Sequence, residues 1–235
     1  MAAAARTTPE AGRSVSADNR EIEVFLSAPP GRRLRNIASR CRQWGFAVTD
    51  LGLRRVRDVY VDTPDCRLLL AGMACRIRRY ADRSELTLKG IISERSDVAA
   101  RREITSNLPA AGLPLSELAA RLPARLRRRV GREPLHVLFR VNQTRHVHRL
   151  ALSQGTSLVL SIDRVVIVAG CRRRRVSGVE IELHRGRVED LVAFAARLRR
   201  DFGLRRSRTS KFEKGLRLAC LSWRLRAAEE ERRAG

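Results

Sequence analysis

The sequence predicts an α+β fold, an eight-stranded antiparallel β-barrel with helices packed on its outside. Three observations carry this. Six segments alternate in character, so that Glu21/Glu23, Arg76/Arg78, Thr87/Lys89, Arg101/Glu103, Ser161/Asp163 and Glu180/Glu182 each share one strand face. The opposite faces are apolar, as in Ile22/Val24, Cys75/Ile77, Leu86/Leu88 and Val179/Ile181/Leu183. At least three amphipathic helices also need apolar partners. A half-exposed sheet would put the charges in water. With the helices covering the apolar faces, the charged faces turn toward each other inside a closed barrel, and about eight strands enclose room for one ligand.

The elements follow in order. Residues 1–19 have no period and read as a loose tail. Glu21–Ser27 is a strand, punctuated by Pro29-Pro30-Gly31. Residues 32–44 carry a helical period through Leu34, Ile37, Ala38 and Cys41. Strands fit 57–62, 74–80, 85–90 and 101–105. Leu118, Leu122 and Leu126, spaced four apart, make 115–130 helical. Further strands fit 138–150, 157–168 and 178–184. An amphipathic helix over 187–202 is stopped by Gly203, and Ser210 with Glu213 forms a capping box for a last helix over 211–226. The expected organisation is a tail over 1–19, one barrel domain over 20–218, and a helical end over 219–235.

Composition narrows the function classes. The net charge is +24, which attracts polyanions. The arginine clusters at 32–35, 54–57, 127–129, 172–175 and 205–208 are scattered, though, and aromatics make up only 4%. No stacking platform or nucleic-acid motif is legible, so no specific nucleic-acid partner is expected. The arginine bias reads as a codon-composition effect on solvated surfaces. Only Lys89, Lys211 and Lys214 are lysines, so each marks a place that asks for a compact ammonium. The longest uncharged runs are 13 residues, too short to span a bilayer, and the N-terminus has no apolar signal core; no membrane partner and a cytoplasmic location are expected. The five cysteines (41, 66, 75, 171, 220) form no CxxC pair and read as free buried thiols. His136, His146 and His148 show no metal spacing and read as structural or exposed; Trp44 and Trp223 read as packing residues.

A charged lumen needs neutralisation. Glu21 and Glu23, about 7 Å apart on one strand face, repel by roughly 2.4 kcal/mol at an effective dielectric near 20. Asp163, Glu180 and Glu182 add to this. Hard oxygen ligands suit Mg²⁺ or Mn²⁺. The cations Arg76, Arg78, Lys89, Arg145 and Lys211 ask for an anion. Carboxylates for metal beside cations for oxyanions describe a metal–polyphosphate site.

REIEVFL resembles the opening signature of the CYTH superfamily, the triphosphate tunnel metalloenzymes, usually Glu-x-Glu-x-Lys. VYVDTPDCRLLLAGMACRIRRY with ELTLKG, then REIT, FRVNQTRHVHRL, LSIDRVV, VEIELHRG and TSKFEKGL, continue the family's order over about 21–216. The resemblance implies a triphosphate tunnel. Glu21, Glu23, Asp163, Glu180 and Glu182 would hold the metal, and Arg76, Arg78, Lys89, Arg101, Arg145 and Lys211 would bind substrate. Glu21, Glu23, Glu103 and Lys89 would carry catalysis. Two positions depart from the pattern: Phe25 stands where the signature has lysine, and His184 where a third carboxylate is common. The expected function is metal-dependent hydrolysis of inorganic triphosphate (tripolyphosphate) or another small triphosphate. The rivals are a nucleoside or thiamine triphosphatase, an adenylate cyclase, a non-catalytic polyphosphate-binding module, and a basic nucleic-acid binder.

Overall fold

A computed structural model describes residues 19–32, 34–90, 99–152, 155–207, 209–221 and 224. Eight long strands form its frame: β1 (Asn19–Ser27), β2 (Ala47–Asp62), β3 (Met73–Arg79), β4 (Ser84–Gly90), β5 (Ala99–Leu108), β6 (His136–Ala151), β7 (Ser157–Ala169) and β8 (Arg172–Arg185). They run antiparallel in the order β5-β4-β3-β2-β6-β7-β8-β1. β1 splits its pairing, Asn19–Glu23 lying against β5 and Glu23–Ser27 against β8, so the row returns on itself as a tunnel. A two-residue β9 (Arg205–Arg206) pairs with the end of β1.

The helices are α1 (Ile37–Gln43), α2 (Arg67–Leu70), α3 (Leu115–Leu118), α4 (Ala124–Val130), α5 (Val188–Phe202) and α6 (Lys211–Leu218). α1 and α5 cover one outer apolar face, where Ile37, Cys41, Leu191 and Leu198 pack on Leu26, Leu160 and Ile181. α2, α3 and α4 cover another, with Leu68, Leu118 and Val130 on Ile77, Leu86 and Leu88. α6 is different. Its Phe212 and Leu216 pack on Tyr60, Phe139, Val141, Val165 and Ile167. In the two-residue alternation Val165 and Ile167 share the face of Asp163, and Phe139 and Val141 that of Arg145. The lumenal face thus turns from charged to apolar where α6 stops the tunnel. Gly215 permits this docking, because a Cβ there would fall 2.1 Å from the Phe139 ring.

The structure corrects several expectations. β2 begins ten residues before the expected 57, its first half hidden by exposed arginines and by an irregularity between Asp50 and Leu53. The helix expected over 115–130 is broken by Pro123, which holds Leu122 extended at ψ 148°. The last helix ends at Leu218, not 226. The Cys220 and Leu221 N–H groups bond the Arg217 and Leu216 carbonyls, with Cys220 left-handed at φ 59°, a Schellman stop without glycine. Cys41, Cys66 and Cys75 are buried free thiols as expected, but Cys171 and Cys220 are exposed. Trp44 packs edge-on to Phe194 and Phe202; Trp223 lies outside the described residues, as do residues 1–18 of the expected tail and most of 219–235.

Candidate functional site

The lumen holds a cavity of about 300 Å³. One arc of its wall is acidic. Glu21 and Glu23 come from β1, Glu103 from β5 and Glu182 from β8, and Lys89 of β4 reaches into them. The Lys89 ammonium bonds Glu21, lies 3.3 Å from Glu23 Oε1 and 3.6 Å from Glu103 Oε2. Burial opposes its charge, but Glu23, Glu21 and Glu103 outweigh burial and hold its pKa above the usual lysine value. The register sets Lys89 opposite Glu103, which favours the pair, yet also sets Glu23 opposite Glu182, two like charges face to face. Among the described residues the Glu182 carboxylate makes no hydrogen bond or ion pair. Burial, then the neighbouring Glu21, Glu180 and Glu23, push its carboxyl up to about 7.

The other arc is neutralised from within. Arg145 grips Asp163 through two bonds of 2.9 and 2.8 Å and reaches Glu180 at 2.8 Å. Lys211, the first residue of α6, donates to Asp163 at 2.7 Å, Glu180 at 2.9 Å and Gln143 at 3.0 Å. Gln143 in turn donates to Asp58, which is 2% exposed and held by Arg78 through bonds of 2.8 and 2.9 Å. Burial disfavours charge at Glu180 and Asp58, but Arg145 with Lys211, and Arg78 with Arg76, overcome it and hold both carboxyls below the usual range. Arg76 lies beside Asp58 and Glu103 at 3.8 and 3.6 Å, while its buried Nε–H has no acceptor among the described residues.

The structure gathers Glu21, Glu23, Arg76, Arg78, Lys89, Glu103, Arg145, Glu180, Glu182 and Lys211 around this one cavity. Asp163 is fully buried behind Arg145 and Lys211. Arg101 sits on β5 opposite Glu21, and its side chain lies outside the described residues. Phe25 lines the cavity, opposite Glu180, with its ring 4.8 Å from the Lys214 ammonium and 5.7 Å from that of Lys211. Gly178 makes room for that ring, whose tip lies 3.0 Å from where a Cβ would stand.

Sequence reasoning missed Asp58 and Gln143, and it singled out Lys214 without giving it a place at the site. Asp58 had a signal, a charge two residues before Tyr60 on a strand face that turns out lumenal. Lys214 is 7% exposed, bonded to Ser207 and the Thr209 carbonyl, and pushed down to about 8 by burial, Arg174 and Lys211. Of the chain's three lysines, Lys89 and Lys211 line the cavity, and Lys214 lies against the Phe25 ring that also lines it.

The CYTH domain profile matches residues 19–216. Among solved structures, the chain is similar to a putative adenylyl cyclase from Hippeastrum, described as having a dominant triphosphatase activity. The two are 19% identical with a TM-score of 0.56, over 82% of this chain and 93% of that one. A putative adenylate cyclase from Bacillus halodurans is 17% identical with a TM-score of 0.55, over 83% of this chain and 95% of that one. No curated protein matches the chain.

Proposed function

The chain belongs to the CYTH domain family, and we propose that its tunnel is the site of metal-dependent triphosphate hydrolysis, with inorganic tripolyphosphate as the favoured substrate. One observation carries this reading: among the described residues, the same cavity holds a carboxyl outside any ion pair, Glu182, which burial and the neighbouring Glu21, Glu180 and Glu23 push up despite Lys89, and a buried guanidinium N–H without an acceptor, Arg76. A triphosphate entering with a divalent cation answers both demands.

The oxygen-only donor set fits Mg²⁺ or Mn²⁺. Glu21, Glu23 and Glu182 are the groups to hold the ion, since Glu21 and Glu23 share the Lys89 ammonium, whereas Asp163 and Glu180 are each bound by both Arg145 and Lys211. When bound, such an ion neutralises phosphate charge and polarises a phosphoryl oxygen. The chain's own residues supply the rest. Arg76, Arg145 and Lys211 exchange part of their carboxylate bonds for phosphate oxygens, while Asp163, Asp58 and Gln143 keep them aimed. Lys89 meets the developing charge of the transition state, and Glu103 beside it orients the attacking water in line with the leaving phosphate.

Phe25, Tyr60, Tyr80 and Phe212 also line the cavity and favour a second reading, a triphosphate with an organic end such as ATP or thiamine triphosphate. A phosphate-release screen over tripolyphosphate, ATP, thiamine triphosphate and long polyphosphate, with Mg²⁺, Mn²⁺ or chelator, separates the two. Binding of tripolyphosphate without release in either metal would leave a polyphosphate-binding module.

A further inference from the structure

His146 and His148 read from the sequence as unconnected to any metal. The structure supplies the third partner from another strand. Asp50 of β2 pairs directly with His148 of β6, and His146 stands two residues along the same face. The alternation places both rings on the side opposite Arg145 and Val147, which line the cavity, so the three groups lie outside the tunnel.

Their geometry is that of a ligand set. His146 Nε2 lies 2.9 and 3.0 Å from the two Asp50 carboxylate oxygens, nearly equidistant, and a single N–H satisfies only one of them. His148 Nδ1 lies 3.8 Å from Asp50 Oδ1, beyond hydrogen-bond range. It has no hydrogen-bond partner, although the residue is only 3% exposed. One potential ligand atom from each residue falls within 4.8 Å of the others. Tetrahedral coordination with bonds of about 2.0–2.1 Å puts ligand atoms about 3.3 Å apart. The separations from Asp50, 2.9 and 3.8 Å, straddle that value, and the two imidazole nitrogens lie within 4.8 Å of each other.

We propose that Asp50, His146 and His148 form a second metal site, one that binds a borderline transition ion of the Zn²⁺ class on the outer wall of the barrel. Two imidazoles and one carboxylate select such ions over Mg²⁺ or Ca²⁺, which favour all-oxygen sets. The carboxylate is already aimed: the Gly52 N–H donates to Asp50 Oδ1 at 2.8 Å within the irregular turn between Asp50 and Leu53. Such outer-shell bonds orient ligands. Asp50 and His146 are half exposed, so an ion has an entry path and water completes its sphere. The bound ion ties the irregular start of β2 to β6.

The test is equilibrium dialysis of the full chain against Zn²⁺, with parallel melting curves and Co²⁺ spectra. The intact chain is expected to hold one more zinc than His146→Ala or Asp50→Asn, each of which weakens this site at least about tenfold. Zinc is expected to raise the melting temperature of the intact chain more than that of either variant, and Co²⁺ to give the strong visible bands of low coordination only in the intact chain. Both substitutions fall on exposed side chains, so folding is not at stake. The Glu21→Gln/Glu23→Gln chain is expected to retain this zinc, which separates it from any ion in the tunnel. Equal zinc uptake by the intact chain and both variants, or no uptake by the intact chain, would overturn the proposal.

Discussion

Lys211 and Lys89 occupy two arcs of the same lumen under opposite conditions. Around Lys211, every carboxylate has a cation: Asp163 and Glu180 are bound by Arg145 as well, and Asp58 by Arg78. Around Lys89, among the described residues, its ammonium meets Glu21, Glu23 and Glu103, Arg76 also reaches Glu103 at 3.6 Å, and the Glu182 carboxylate makes no ion pair. The first arc is complete without ligand and is built to hold cations in place. The second sets Glu21, Glu23, Glu103 and Glu182 around Lys89 and Arg76, an acid-rich arc that an added cation would relieve. Under the proposed function the labour would divide accordingly: the Lys211 arc would orient substrate-binding groups, and the Lys89 arc would accommodate the metal.

The largest expected effect breaks the comparison on its acidic side. Glu21→Gln with Glu23→Gln is expected to lower tripolyphosphate turnover about a thousandfold or more, at least about 4 kcal/mol of transition-state stabilisation. The melting temperature is expected to hold or rise, because repelling charge has been removed and Glu103 remains beside Lys89. Full turnover in this chain, or in excess chelator, would overturn the metal assignment. The second effect lies in the neutralised arc and runs the other way. Asp163→Asn strips the shared partner from Arg145 and Lys211, leaving buried cations under-compensated. It is expected to cost about 3 kcal/mol of stability, or roughly 10 °C in a domain of this size. A melting curve unchanged by this substitution would mean the arc is not held together by Asp163.

The fold was legible because its signal is periodic. Eight strands and three of the helices repeat at periods a reader can count, and the charged faces named the tunnel's interior before any pairing was known. The parts that escaped are non-periodic or depend on pairing. Charge alone says that Glu180 and Glu182 share a face; only register shows that Glu182 confronts Glu23 while Glu180 meets Arg145 and Lys211. The split of the acids into two arcs was therefore invisible. Asp50 with His148 escaped for the same reason, as the partners lie on different strands. Pro123 was legible as a breaker, but the four-residue leucine spacing across it read as continuous helix.

Phe25 sharpens the comparison from the border between the arcs, where β1 meets β8. Its ring covers the Lys211 and Lys214 ammoniums. Phe25→Lys brings a third cation beside them, which repels them when the lumen is empty and assists when phosphate is present. The expected outcome is a lower melting temperature without ligand, restored by tripolyphosphate, and a rise in kcat/KM of about tenfold, from one charge-assisted contact worth about 1.5 kcal/mol. A folded variant with reduced kcat/KM would show that this tunnel uses the aromatic surface itself, in favour of a substrate with an organic end.

The smallest expected effect reads Glu182 directly. Burial and the neighbouring acids push its carboxyl up to about 7 in the folded chain, from an ordinary value of 4.5. The folded state therefore binds more protons than the unfolded state between those values, and stability falls as pH rises through that window. Partial solvent screening reduces the effect to about 1 kcal/mol, a few degrees of melting temperature. Glu182→Gln removes the titrating group. Its melting temperature in chelator is expected to match the intact chain near pH 5 and exceed it by those few degrees near pH 8. Mg²⁺ or Mn²⁺ is expected to erase the difference by favouring the ionised carboxylate of the intact chain, while Glu182→Gln gains less from the ion. Asp58 and Glu180 shift in the other direction and destabilise both chains on acidification. The measurement is thus the difference between the two melting curves across pH, not either curve alone. A difference that stays flat from pH 5 to pH 8 in chelator would mean that Glu182 is compensated after all, and the acid excess assigned to the Lys89 arc would lose its main support.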